Sequence, residues 1–189
     1  MTEFSQISYK HFQDESYAES PIIRFMYNDA IQQLDMVIDY AADVLSEYFE
    51  HIARGNDPKS FRRTGADFRL LRFEGIRSFK FTSILEVFNK TAISIAPPES
   101  WDDFEKSLIH SHPRLLTQLE CHKHSHSFNI EMSIDSTGHF SWDCTTVHVR
   151  KRVAIIDRDV SLHPRYIDSQ TLEEVDPKNP FPQEILKFR

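Results

Sequence analysis

NDAIQQLDMVIDYAADVLSEYFEHIARGN, residues 28–56, decides the fold. Its apolar side chains fall at Ile31, Leu34, Val37, Ile38, Ala41, Val44, Leu45, Tyr48, Phe49 and Ile52. Steps of three and four define one face of a helix. Asp29 is placed to cap it, with Gln32 three residues on in the manner of a capping box. Arg54 and Gly55 supply the usual end signals. The spacing predicts one helix over residues 30–54. A rival pattern runs through the same letters. Leu34, Met36, Ile38 and Tyr40 alternate as in a strand, and a second strand would then occupy 44–52. No Gly, Asn or Pro lies between the two to make the turn, which favours the helix.

The flanking segments read as strands. IIRFMY, after Pro21, predicts a short edge strand. FRLLRF and IRSFKF flank Glu74-Gly75, as two arms of a hairpin or as one long strand bent at Gly75. Ser100 caps a predicted short helix, WDDFEKSLI, with acids in its first turn. RLLTQL then continues as a short helix or an extended segment. The clearest β signal is SFNIEMSIDSTGHFSWDC, residues 127–144. Phe128, Ile130, Met132 and Ile134 alternate with polar residues, a turn follows, and Phe140, Trp142 and Cys144 resume the alternation. VHVRKRVAII extends the returning strand or begins another.

These elements predict an α+β fold, an antiparallel β-sheet packed by one long helix. A mostly-β sandwich is the alternative if residues 30–54 are strands. The expected organisation is a mobile or loosely docked N-terminal arm over 1–20, a single domain over 21–156, and a C-terminal extension over 157–189 that wraps it.

Composition narrows the function classes. The chain has 189 residues and a net charge of −7, with 40% apolar residues and 27% charged, values of an ordinary globular protein. Only 4 residues are Gly, and neither GxGxxG nor GxxxxGK[ST] occurs, which argues against a phosphate-cradling loop. The polar N-terminus carries no secretory h-region, and two cysteines do not make a disulfide framework. The expectation is a cytoplasmic protein with both thiols reduced and no membrane span. Charge is distributed in blocks. Residues 1–58 hold 11 acids against 3 bases, and residues 59–95 hold 8 bases against 3 acids. No basic face dominates, so nucleic acid is not an expected partner.

Two constellations stand out. CHKHSHS, residues 121–127, sets His122, His124 and His126 at alternate positions. If Ile134 pairs with Phe140 in the following hairpin, Met132 meets Trp142, Ile130 meets Cys144, His126 meets His148 and His124 meets Arg150. Imidazoles opposed in this way lie about 5 Å apart, close enough to share a metal. His124, His126 and His148 are therefore the candidate ligands, with zinc as the candidate ion. Val147 and Val149 have the wrong parity for that register, which predicts a bulge near 145–146 that turns His148 away. No HExxH or CxxC pattern supports a metal.

The second constellation is acidic. On the predicted helix, Asp35, Asp39, Asp43 and Glu47 recur at steps of four, with Glu50 close by and no lysine among them. Like charges so spaced repel by about 0.2–0.5 kcal/mol per pair. Either the arginines of the next segments (Arg62, Arg63, Arg69, Arg72 and Arg77) lie across these acids, or a basic partner does. The block from Arg62 to Lys80 interleaves bases with phenylalanines, a pattern that can bind single strands, but those rings alternate at strand spacing and read as core. No serine elbow or exposed nucleophilic cysteine is apparent. No cofactor is implied, and the oligomeric state is not encoded in any motif. The sequence favours a non-catalytic acidic binding protein of bacterial cytoplasmic type, such as an immunity or inhibitor protein against a basic toxin or nuclease. Its partner would be a protein with a basic surface. The alternative is a metal-dependent hydrolase using His124, His126 and His148.

Overall fold

Residues 33–39 form a strand rather than the first half of a helix. The computed structural model of the protein describes residues 5–6, 15–83, 105–106, 114–135, 137–158 and 164–185. The strands are β1 (Ser5–Gln6), β2 (Ser20–Asn28), β3 (Gln33–Asp39), β4 (Gly65–Glu74), β5 (Arg77–Ser83), β6 (Leu115–Lys123), β7 (Phe128–Ile134), β8 (Gly138–Cys144), β9 (Thr146–Asp157), β10 (Arg165–Asp168) and β11 (Glu174–Val175). Two short helices accompany them, α1 (Ala42–Ala53) and α2 (Pro182–Ile185). Among the described residues the protein is mostly β, and the single long helix over 30–54 is absent. The predicted short helix WDDFEKSLI lies outside the described residues apart from Glu105 and Lys106.

The periodicity misleads because β3 is buried on both faces. It pairs with β2 on one side and β4 on the other. Leu34, Met36 and Ile38 enter the main core, while Val37 enters a second cluster on the opposite face. A strand buried on both sides loses its polar alternation and reads as an almost continuous apolar run. Asp35 is fully buried in that strand because Arg72 lies directly opposite. Helix α1 follows immediately, so the second strand expected over 44–52 is also absent. At the other end of β3, the chain turns through a 3-10 turn in which the Ala30 N–H donates to the Asn28 side chain, so the cap is Asn28 rather than Asp29.

All pairings are antiparallel, in the order β11-β10-β9-β4-β3-β2-β6-β7-β8-β5, with β1 added to β9. β2 meets β6 only at Ser20 and Pro21, so among the described residues IIRFMY itself pairs on one side alone, with β3, while RLLTQL is strand rather than helix. β4 and β5 do not pair with each other; β4 pairs with β9 and β5 with β8. The chain bends at Gly75, whose φ is +64°. A Cβ there would lie 2.4 Å from Thr145 Oγ1, so only glycine fits without displacing Thr145. Thr145 makes the matching corner between β8 and β9, and its N–H donates to the Glu74 carbonyl at 2.9 Å. Where a bulge was expected near 145–146 the chain instead leaves β8 at this corner, and β9 pairs with β4.

The main core holds Phe25, Met36, Leu71, Phe73, Ile130, Met132, Phe140 and Trp142. Trp142 meets Phe73 edge-on at 5.1 Å and stacks on Phe79 at 5.6 Å. From the expected N-terminal arm, Tyr17 belongs to this core and is 1% exposed. Behind β3 and β4, Val37, Phe68 and Leu70 are covered by Val175 and Phe181 from the C-terminal segment. Ion pairs of Arg152 with Asp168 and of Arg150 with Glu184 tie that segment down.

Burial pushes the Asp168 carboxyl up, but the N–H groups of Thr171 and Gln170 and the Arg152 guanidinium outweigh it and hold it below its usual range. A carboxylate with a lowered folded value contributes stability that is full above the unfolded value of about 3.9 and is lost as pH falls through the folded one. Asp168→Asn should therefore cost about 1.5–3 kcal/mol at pH 7. In urea titrations the gap from wild type should shrink as pH drops below about 4; a gap independent of pH would show that charge is not what holds the segment. No described helix is long and apolar enough to cross a membrane.

Candidate functional site

Helix α1 leaves β3 through Tyr40-Ala41 and ends at Arg54, where Gly55 adopts a φ of +80°. Two of its side chains, Tyr48 and His51, pin it to the chain that follows. Tyr48 meets Phe61 edge-on at 5.3 Å, and His51 Nε2 lies 3.0 Å from Ser60 Oγ and 3.1 Å from the Asp57 carbonyl. No residue of the helix is buried. Leu45, Phe49 and Ile52 are 37%, 63% and 37% exposed. At about 100° per residue these three share one flank of the helix. The anchoring Tyr48 and His51 lie beside that flank, and Asp43, Glu47 and Glu50 fall on the side opposite it. Isolated helices of this length are marginal in water, so α1 depends on its few anchors.

The acids expected to form one stripe divide into two groups. Asp35 and Asp39 belong to β3. Arg72 grips Asp35 through Nε at 2.8 Å and Nη2 at 2.6 Å, and Gln33 adds a third donor at 3.0 Å. Arg63 forms a similar fork on Asp39. Two of the arginines singled out in the next segment thus neutralise the first two acids, in the bidentate geometry a guanidinium favours. Asp43, Glu47 and Glu50 are exposed on α1, where Glu50 pairs with Arg54 one turn on. The phenylalanines of the basic block sit against the core: Phe68 and Phe73 are buried, and Phe79 and Phe81 pack at its edge.

The proposed metal ligands do not converge. The observed hairpin pairs Met132 with Phe140, Ile130 with Trp142 and Phe128 with Cys144. That register is shifted by two residues from the expected one, which keeps every apolar side chain on its face but moves the histidines. β6 ends at Lys123, and His124 and His126 occupy the turn before β7. They line an open cleft of about 520 Å³ with Gly75, Arg77, Asp143 and Cys144. His148 lies on β9, beyond the Thr145 corner and opposite Arg72, with its Nε2 3.2 Å from Glu74 Oε2. In the cleft, burial pushes the Cys144 thiol up to about 12, with the charges of Cys121 and Asp143 adding to it, so it is protonated at neutral pH and is a poor nucleophile.

The exposed apolar flank of α1 was not expected. In the sequence Leu45, Phe49 and Ile52 belong to a core-facing pattern, and no letter in the segment signals that the core lies elsewhere. Comparison with protein-family models, with curated proteins and with solved structures finds no match to this chain.

Proposed function

We propose that this is a non-catalytic, acidic, cytoplasmic binding protein that docks a basic protein partner through helix α1. The observation that carries the reading is an amphipathic helix with no buried residue, presenting Leu45, Phe49 and Ile52 to solvent. Large apolar side chains grouped on one exposed surface are an unstable way to end a fold and a common way to begin an interface. Asp43, Glu47 and Glu50 give the same helix a negative potential, within a chain of net charge −7. In this arrangement the apolar flank supplies affinity, and the acids on the far side of the helix add a long-range negative potential that raises the rate of encounter with a cationic partner. An immunity or inhibitor protein against a basic toxin or nuclease fits that chemistry.

The two roles predict different losses. The test starts from the protein that co-purifies with the untagged chain at low salt. Phe49→Ala should weaken its binding about 30-fold or more, mainly through faster dissociation, as for a central interface aromatic. Neutralising Asp43, Glu47 and Glu50 together should slow association about tenfold at low salt and leave dissociation nearly unchanged. Asp39 is left intact, because Arg63 holds it within the fold. Stopped-flow or surface-binding kinetics separate the two effects. A partner without a basic surface, or one whose binding is indifferent to both changes, would place the interface elsewhere.

A further inference from the structure

We propose that Glu120, His122 and Glu131 form a site for a divalent transition-metal ion on the outward face of β6 and β7. This is the histidine of CHKHSHS that lies on the strand rather than in the turn. Cys121 and Ile130 are paired across the ladder and point into the core. Their neighbours Glu120, His122 and Glu131 therefore point outward. Glu120 and Glu131 are directly opposed in the register, and His122 stands two residues along from Glu120 on the same face.

One donor atom from each of the three side chains lies within 4.8 Å of the other two. His122 Nε2 and Glu120 Oε2 are already 3.3 Å apart. With metal–ligand bonds of about 2.0–2.2 Å, neighbouring donors around a tetrahedral ion sit roughly 3.4 Å apart. The set closes to that spacing by small rotations of the side chains, of which His122 and Glu120 are about half exposed. Gln118 Nε2 donates to Glu120 Oε1 at 2.7 Å, which orients the other carboxylate oxygen toward the imidazole.

A further feature calls for a cation here. Carboxylates directly opposed on a strand pair repel. Among the described residues, neither Glu120 nor Glu131 forms an ion pair with a lysine or arginine. A cation between them turns that repulsion into attraction, and the adjacent imidazole selects its class. Mg²⁺ and Ca²⁺ take oxygen donors, whereas one imidazole with two carboxylates suits Zn²⁺, Co²⁺ or Ni²⁺ and leaves coordination positions for water. The site shares no residue with helix α1, so the outcome here does not bear on the docking reading.

The test is calorimetric titration of the untagged, chelator-treated full chain with Zn²⁺, repeated with Co²⁺ while its visible absorption is recorded. One equivalent should bind saturably. His122→Ala and Glu131→Gln should each weaken binding at least tenfold, while a His124→Ala and His126→Ala double variant should bind as wild type does. Without metal, Glu131→Gln should melt no lower than wild type, since it removes the repulsion, which separates loss of a ligand from loss of the fold. Absence of saturable Zn²⁺ binding up to millimolar concentration, equal binding of Mg²⁺, or binding untouched by His122→Ala would overturn the assignment.

Discussion

Replacing Arg72 by alanine is expected to destabilise the protein by about 3–5 kcal/mol, the cost of stranding a buried charge. Asp35 is fully buried, and Arg72 provides two of the three hydrogen bonds that reach its carboxylate. The remaining donor, Gln33, is neutral and cannot compensate a full charge. The pair itself is not a source of great stability, because desolvating both partners offsets much of their attraction. Removing both charges should therefore cost much less than removing one. A double variant, Asp35→Leu with Arg72→Met, is expected to recover most of the loss in urea denaturation. If Arg72→Ala alone costs less than about 1 kcal/mol, Asp35 reaches water in solution and β3 is not sealed on that face.

Trp142→Ala is the second large effect, at about 3–5 kcal/mol. The indole is 1% exposed and is held between Phe73 and Phe79. Its Nε1 is buried with no hydrogen-bond partner among the described residues. That makes Trp142→Phe an informative contrast. Phenylalanine keeps a ring against both neighbours and removes an N–H whose unsatisfied burial costs about 1–3 kcal/mol. The lost volume and the removed penalty oppose each other, so Trp142→Phe should change stability by less than about 1.5 kcal/mol. Thermal or urea melts of both variants check this. Equal losses for Phe and Ala would mean that the indole nitrogen is satisfied in solution.

The hairpin from Phe128 to Cys144 was legible because its period of two survives any register that respects the core. Ile130, Met132, Ile134, Phe140, Trp142 and Cys144 are all buried as the alternation requires. Pairing was less legible. Ile134 meets Gly138 rather than Phe140, so the turn is tighter than expected. A shift by two residues leaves both faces intact, and hydrophobic pattern alone does not distinguish the two registers. The histidines are sensitive to that shift, and the supposed contact between His126 and His148 disappears with it. The bend at Gly75 was also written in the sequence, as one of two options; pairing partners far along the chain chose between them.

The sequence by itself determined which residues of the Phe128–Cys144 hairpin avoid water, that the chain turns or bends at Gly75, and that the acids of residues 35–50 need basic company. Each of these is local chemistry: apolar spacing, a backbone angle, like charge beside like charge. The tertiary structure alone decided that β3 is a strand buried on both sides, that Arg63 and Arg72 take Asp39 and Asp35, and that Leu45, Phe49 and Ile52 face solvent. It also decided which histidine of CHKHSHS meets carboxylates. These depend on which strands lie side by side, and strand neighbours are set by contacts between distant segments. A helix pattern marks an apolar face without saying whether the protein's own core will cover it.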